Sequence, residues 1–185
     1  TKGMGVIGAS LVRRDGYLGA SYGYDGERYG LPAATGTDFV ELTPRRHSVT
    51  VRSERRAAHG WLRSSRFALA HRNYRHDELE LGEVDTTFRN RHTEVSTMFG
   101  YDAARTGTGS FGASGTWRAF SATGDEALSP PVHQQAFAAF GFHELRLAKF
   151  SLQGGARLES TRYRPDGGLR ARAFVDASWS AGVVL

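Results

Sequence analysis

The chain of 185 residues is 39% apolar and 23% charged, which is the composition of a folded domain and excludes an intrinsically disordered protein. Its 24 basic and 19 acidic residues give a net charge of +5, but the basic residues are scattered along the whole chain, so we expect no nucleic-acid partner. The absence of cysteine excludes disulfides and thiolate metal sites, and no apolar run approaches the roughly 20 residues of a membrane helix.

Apolar and polar side chains alternate with a period of two residues through most of the sequence. Leu18, Ala20 and Tyr22 alternate with glycine and serine near the N-terminus, as Val175 and Trp179 do with polar residues near the C-terminus. A period of two predicts strands. In chain order the predicted strands are 4–13, 17–25, 46–56, 60–76, 86–101, 109–123, 134–146, 149–163 and 170–185. The pattern predicts an all-β fold, an antiparallel up-and-down meander of about nine long strands.

The connections favour a transmembrane β-barrel as the setting of this meander. The shorter connections are 14–16, 57–59, 102–108 and 147–148, and the longer ones are 26–45, 77–85 and 124–133. Alternation of this kind is typical of barrels with short periplasmic turns and longer extracellular loops. Aromatic residues near strand ends or on apolar faces fit interfacial girdles, namely Tyr17, Tyr22, Tyr24, Trp61, Phe99, Tyr101, Trp117 and Trp179. A soluble β-sheet binding module and a small outer-membrane barrel enzyme or adhesin are the alternatives.

Several strand-and-loop patterns carry a family resemblance. They are Tyr22–Asp25, Tyr29–Pro32, Gly82–Asn90, Phe120–Pro131, Phe140–Glu144 and Gly155–Glu159. Their order resembles the barrel domain of TonB-dependent outer-membrane receptors, particularly the branch that includes zinc-uptake receptors. The resemblance extends over essentially the whole chain.

The resemblance implies a receptor in the outer membrane of a Gram-negative bacterium, which admits a small metal-containing ligand with energy passed on by the TonB complex. Such receptors combine a plug domain with a barrel of about 22 strands. We find no plug and no TonB box in the sequence, so residues 1–185 are interpreted as a single partial barrel domain. Uptake is therefore expected of the complete protein, with outer-membrane lipid around its wall. The two edges of an open sheet need partners in lipid, through closure, further sequence or oligomerisation.

Histidines and acids near the extracellular end are the candidate metal ligands. His76, Glu78 and Glu80 share one parity on the fourth predicted strand, and the loop pattern places His133 at the same end. Imidazole and carboxylate groups suit Zn²⁺. Further candidates at this end are Asp38, Glu41, His47, Asp125 and Glu126. A weak first contact with zinc or a ferric chelate is the hypothesis, and an ordinary solvated rim is the alternative.

Nine arginines are predicted to line the polar inner face. They are Arg52, Arg66, Arg72, Arg89, Arg91, Arg118, Arg157, Arg170 and Arg172. We expect them to pair with Glu54, Glu94, Glu159 and Asp176, although a ferric siderophore is an anionic ligand that they could also attract.

Nothing in the sequence predicts an enzyme or a resident cofactor. Two G-x-G-x-x-G matches, at 3–8 and 107–112, open alternating strands and do not precede a helix, as a dinucleotide site requires. Ser129 and His133 form the nearest nucleophile and base pair, and they lack a third orienting group. We therefore predict no catalytic residues.

Overall fold

The computed structural model describes residues 1–31, 39–57, 59–104, 106–125 and 127–185. These residues form eleven strands of one sheet, and none of them lies in a helix that could cross a membrane. The strands are β1 (Lys2–Arg13), β2 (Gly16–Glu27), β3 (Tyr29–Leu31), β4 (Val40–Leu42), β5 (Arg45–Arg56), β6 (Leu62–Glu80), β7 (Glu83–Asp102), β8 (Gly107–Gly124), β9 (Val132–Arg146), β10 (Ser151–Pro165) and β11 (Arg172–Val184).

Nine long strands follow one another across the sheet in the order β1, β2, β5, β6, β7, β8, β9, β10 and β11, each antiparallel to its neighbour. The predicted all-β antiparallel meander is confirmed. The connections after β2, β6, β8 and β10 lie at one end of the sheet, here called the upper end, and those after β1, β5, β7 and β9 lie at the lower end. In the described part of the chain, β1 and β11 each pair with a single neighbour and form the two edges.

The connection between β6 and β7 differs from the prediction. Residues 77–85 were expected to form a longer loop, but β6 and β7 continue to a turn of two residues, Leu81 and Gly82. Their φ angles of 50° and 89° are both positive, as the tight hairpin turn that suits strand twist requires. The short strands β3 and β4 were also not predicted, and β4 pairs with the upper end of β6. The sheet therefore extends upward as a tall hairpin.

The strand register places the apolar side chains on one face. One row across the sheet consists of Ala9, Ala20, Val51, Leu69, Val95, Gly115, Phe137, Ser160 and Val175. Because neighbouring residues on a strand point to opposite faces, the intervening residues, which are mostly polar, form the other face. This arrangement matches a barrel wall with an apolar outside and a polar inside.

Burial shows that the second, largely polar face is the concave one. On β10, Gln153, Glu159 and Thr161 are half-buried, whereas Leu152 and Leu158 on the apolar face are exposed. Tyr17 of β2 and Phe140 of β9 line the same cleft on the polar face, although four strands separate β2 from β9. Side chains of distant strands converge only inside a curve, so the apolar face is convex.

Aromatic residues form two bands on the convex face. Near the lower end, the Trp61 and Phe111 rings are stacked with centroids 6.5 Å apart, and the Tyr101 hydroxyl lies 2.9 Å from Nδ1 of His143. Higher up, the rings of Trp117 and Phe137 meet edge to face at 5.4 Å. Tyr22, Tyr24, Phe99 and Trp179 share the convex face, and Tyr17 is the exception on the concave face. The bands are placed as the two interfacial girdles of a membrane barrel are.

Replacing a residue in the middle of the apolar band tests the assignment of the convex face. Ala113→Arg places a charge at mid-height on that face, halfway between the levels of Gly109 and Trp117, where it should cost about 2–4 kcal/mol. The measurement is the folded fraction of the native polypeptide in detergent, from gel mobility with and without heating. Ser96→Arg points to the concave face and is the matched control, which should fold normally. Equal loss in both variants would contradict the assignment.

The turn at the tip of the tall hairpin provides a second test. Leu81 is 86% exposed and has a positive φ, a conformation that asparagine tolerates better. We expect Leu81→Asn to stabilise the hairpin by about 1 kcal/mol, measured as local hydrogen-exchange protection of β6 and β7. Val84→Asn, in extended backbone beside the turn, should give no gain. A loss of protection in Leu81→Asn would show that the leucine side chain is needed.

Candidate functional site: the upper part of the concave face

Charged, polar and aromatic side chains lie together on the concave face near the upper end of the sheet. We call this set the upper concave cluster, which consists of Arg72, Tyr74, His76, Glu78, Phe88, Asn90, His92, Glu94, Arg118 and Phe120. The cluster lies on β6, β7 and β8, the central strands of the sheet. Register alone brings it together, because residues directly opposite on adjacent strands share a face.

His76 is the best-packed candidate ligand of the cluster. Its ring is stacked on Phe88 with centroids 4.4 Å apart, and the Tyr74 ring lies 5.5 Å away. Its Nε2 atom is 3.5 Å from Oε1 of Glu78, so the predicted His76 and Glu78 do lie together. Nδ1 of His76 is buried and has no hydrogen-bond partner among the described residues. The imidazole of His76 and the carboxylate of Glu78 therefore lie side by side on the concave face.

Arg118 is the cation of the cluster that lacks an acidic partner. Its Nε donates a hydrogen bond of 2.9 Å to Oδ1 of Asn90, and its guanidinium lies 5.9 Å from the centre of the Phe120 ring. No carboxylate of the described residues pairs with it. Arg72, by contrast, lies 3.8 Å from Glu94. An exposed guanidinium held by an amide and an aromatic ring remains available to an anion.

Lower on the concave face, Arg66 and Arg157 are paired with carboxylates. Glu54 accepts hydrogen bonds from both Arg56 and Arg66, at 2.6 Å and 3.3 Å, and Arg157 donates to Glu159 at 2.5 Å. The expected arginine–carboxylate pairing is therefore confirmed for Arg66, Arg72 and Arg157. Paired arginines give the wall a polar surface without a concentrated positive charge. The unpaired guanidinium of the cluster lies above them.

The four predicted metal ligands are not brought together. Glu80 is the last residue of β6 and lies opposite Glu83, next to the hairpin turn. His133 lies on β9 and has the convex parity, opposite Ala119 and Arg164, so the sheet separates it from His76. The described residues contain no group of three or more histidine or acidic side chains that could hold a metal ion. Contact of His76 and Glu78 with a transported metal stays a prediction.

The further acidic and histidine candidates are dispersed as well. His47 lies on the convex face, where its Nδ1 is 2.6 Å from the Tyr22 hydroxyl. Asp125 lies in the connection that follows β8. Asp38 and Glu126 lie outside the described residues.

Glu41 is engaged by Arg28 in the connection that contains β3 and β4. The Arg28 guanidinium donates two hydrogen bonds to the carboxylate, one of 2.6 Å from Nη2 to Oε2. These hydrogen bonds, followed by the charge of Arg28, lower the pKa of Glu41. Because the pKa of Glu41 in the folded protein is below its ordinary value, the interaction with Arg28 is lost only as the pH falls through that lowered pKa. The pair links the residue before β3 to the middle of β4.

Two of the arginines expected on the inner face lie on the outer one. Arg89 and Arg91 have the same parity on β7 as Thr93, Val95 and Phe99, and therefore belong to the convex face. The prediction for these two residues was wrong, because it took arginine as a sign of the polar interior. The alternation already visible over residues 92–101 would have placed both correctly, had it been extended toward the N-terminus.

Comparison with known proteins agrees with this architecture. Residues 5–185 match the family of the TonB dependent receptor-like β-barrel. The solved structure of the alcaligin outer-membrane receptor FauA from Bordetella pertussis is similar in fold, with a TM-score of 0.67 and 17% identity. The match covers 98% of this chain and 32% of that receptor, so the chain spans about a third of its length. Among curated protein sequences, none matches. Since the family match includes nearly every residue, the chain belongs to the TonB-dependent receptor-like β-barrel family.

Proposed function

We propose that the polypeptide containing this chain takes up a metal chelate through the outer membrane of a Gram-negative bacterium, with TonB as its source of energy. The family match over residues 5–185 carries this proposal, because the family consists of receptors and is not an enzyme family. The neighbouring structure is named as a receptor for alcaligin, which supports a small ligand as the cargo. In this proposal the concave face lines the path of the ligand.

The upper concave cluster supports a chelate over a bare metal ion as the ligand. A bare Zn²⁺ needs three or four ligands at roughly 2.0–2.2 Å, and the described residues offer His76 and Glu78 without a third group. A metal chelate arrives with its coordination complete, so the protein needs charge and flat apolar surfaces to hold it. Arg118 supplies the charge, and Phe88 and Phe120 supply aromatic rings.

Free zinc is the second candidate ligand. The stacked His76 with its Glu78 neighbour favours it, because imidazole and carboxylate are ordinary zinc ligands. Such a pair would make a passing contact on the way inward. The two candidates differ in the expected role of Arg118. Its positive charge attracts an anionic chelate but does not contribute to the binding of Zn²⁺.

Uptake by cells expressing the native polypeptide tests the proposal. The probes are a ferric hydroxamate, a ferric catecholate, ferric citrate and free Zn²⁺, each offered to cells with and without TonB. We expect TonB-dependent uptake of one ferric chelate. Arg118→Gln should weaken its binding about tenfold, because it removes a charge-assisted contact with an anionic ligand. Binding is measured on detergent-purified protein.

Arg157→Gln is the matched control for this experiment. Arg157 lies on the same concave face, level with Phe140 and already paired with Glu159, so its loss should leave chelate binding unchanged. TonB-dependent uptake of free Zn²⁺ alone, with no effect of Arg118→Gln, would overturn the chelate and favour zinc. Failure of every probe to enter in a TonB-dependent manner would overturn the transport proposal.

A further inference from the structure

Four arginines and two histidines are gathered on the convex face, directly above the apolar band. They line a cleft of about 620 Å³ together with Asn73 and Ser121, and they are Arg45, His47, Arg75, Arg89, Arg91 and His133. We call this set the outer basic belt. The concave face supplies none of its charged members, because all six have the convex parity. The belt is therefore separate from the proposed ligand path.

The belt consists of two adjacent rows of the sheet. Arg45, Arg75 and Arg89 stand directly opposite one another on β5, β6 and β7. The row below contains His47, Asn73, Arg91, Ala119 and His133 on β5 to β9. Like charges directly opposite across strands destabilise a sheet. Three consecutive arginines in one row therefore call for an anion that offsets their repulsion.

Among the described residues, Asp77 is the carboxylate that pairs with an arginine of the belt. Asp77 accepts hydrogen bonds from Arg75 at 3.0 Å and from Thr87 at 2.7 Å, which uses its carboxylate within the sheet. The side chains of Arg89 and Arg91 are exposed and form no hydrogen bond or ion pair with any described residue. The belt consequently has an excess of positive charge that points away from the barrel interior.

The height of the belt matches the headgroup layer of a membrane. From the level of Tyr101, opposite Gly109, to Trp117 is eight residue steps on β8, or about 27 Å along the strand and about 21 Å along the membrane normal at a usual strand tilt. That span is close to the roughly 25 Å apolar band of such barrels. Arg91 and Arg89 lie one and two rows above the level of Trp117, about 5 and 10 Å higher, where lipid headgroups begin.

We propose that the outer basic belt binds the phosphate groups of an anionic membrane lipid, whose acyl chains lie along the apolar rows beneath. Guanidinium groups in two rows match phosphate in charge and in hydrogen-bonding geometry. The apolar rows below, with Val49, Val51, Leu69 and Val95, supply the surface that acyl chains contact. The proposal rests on the membrane orientation of the family and is independent of which ligand is transported.

Lipid retention by the native polypeptide in detergent tests the proposal. The protein is mixed with micelles containing phosphatidylcholine alone or phosphatidylcholine with phosphatidic acid, and bound lipid is counted by native mass spectrometry. We expect preferential retention of phosphatidic acid. The double variant Arg89→Gln with Arg91→Gln should lose roughly 10- to 30-fold in affinity for it. The double variant Arg89→Lys with Arg91→Lys keeps the charge and should retain most of the binding.

Arg52→Gln with Arg157→Gln, both on the concave face, is the matched control and should bind phosphatidic acid like the unchanged protein. If the double glutamine variant fails to fold, Arg91→Gln alone, checked by gel mobility, takes its place with a smaller loss. Unchanged retention in a folded glutamine variant would overturn the proposal. Displacement of phosphatidic acid by an equal concentration of inorganic phosphate would also overturn it, because the belt would then recognise free phosphate and not a lipid.

Discussion

The structure depends on one constraint, which is that backbone N–H and C=O groups inside a membrane must bond to one another. Long strands paired along their whole length satisfy it, and their pairing fixes the register. Once the register is fixed, the parity of a residue decides its surroundings. Arg91 and His92 are consecutive, yet the first faces outward and the second faces the interior beside Glu94. Consecutive residues in this wall therefore lie in two different environments, the lipid side and the polar interior.

The distribution of arginine follows the same logic on both faces. Low on the concave face, Arg66 and Arg157 are neutralised by glutamates, so these two guanidinium groups are not available to an anion. At the upper end Arg118 is held by an amide and an aromatic ring and keeps its charge available. On the convex face, Arg89 and Arg91 lie in rows above the apolar band, and Arg13 and Arg55 lie in a row at the lower end of β1, β2 and β5. Charge is thus sorted by height as well as by face.

Sequence reasoning recovered the long strands because their side-chain alternation continues for more than one membrane thickness, most regularly in β10 and β11. It failed at residues 77–85 because a strand that rises above the membrane needs no apolar face, so its polar residues resembled a loop. The shared parity of His76 and Glu78 correctly predicted that their side chains lie together. The face of His133 could not be predicted, since β9 carries apolar residues such as Phe137 and Phe140 on both faces. Arg118 needed the full contact geometry to be distinguished from paired arginines.

The tall hairpin of β6 and β7 has a practical consequence for handling the protein. Residues 76–80 continue above Arg75, which places the turn about 15 Å beyond the outer basic belt. In the orientation expected from the connection lengths, Leu81, which is 86% exposed, is accessible to antibodies and proteases outside the cell. A short epitope inserted between Leu81 and Gly82 would therefore report surface display in living cells while the paired strands below remain intact.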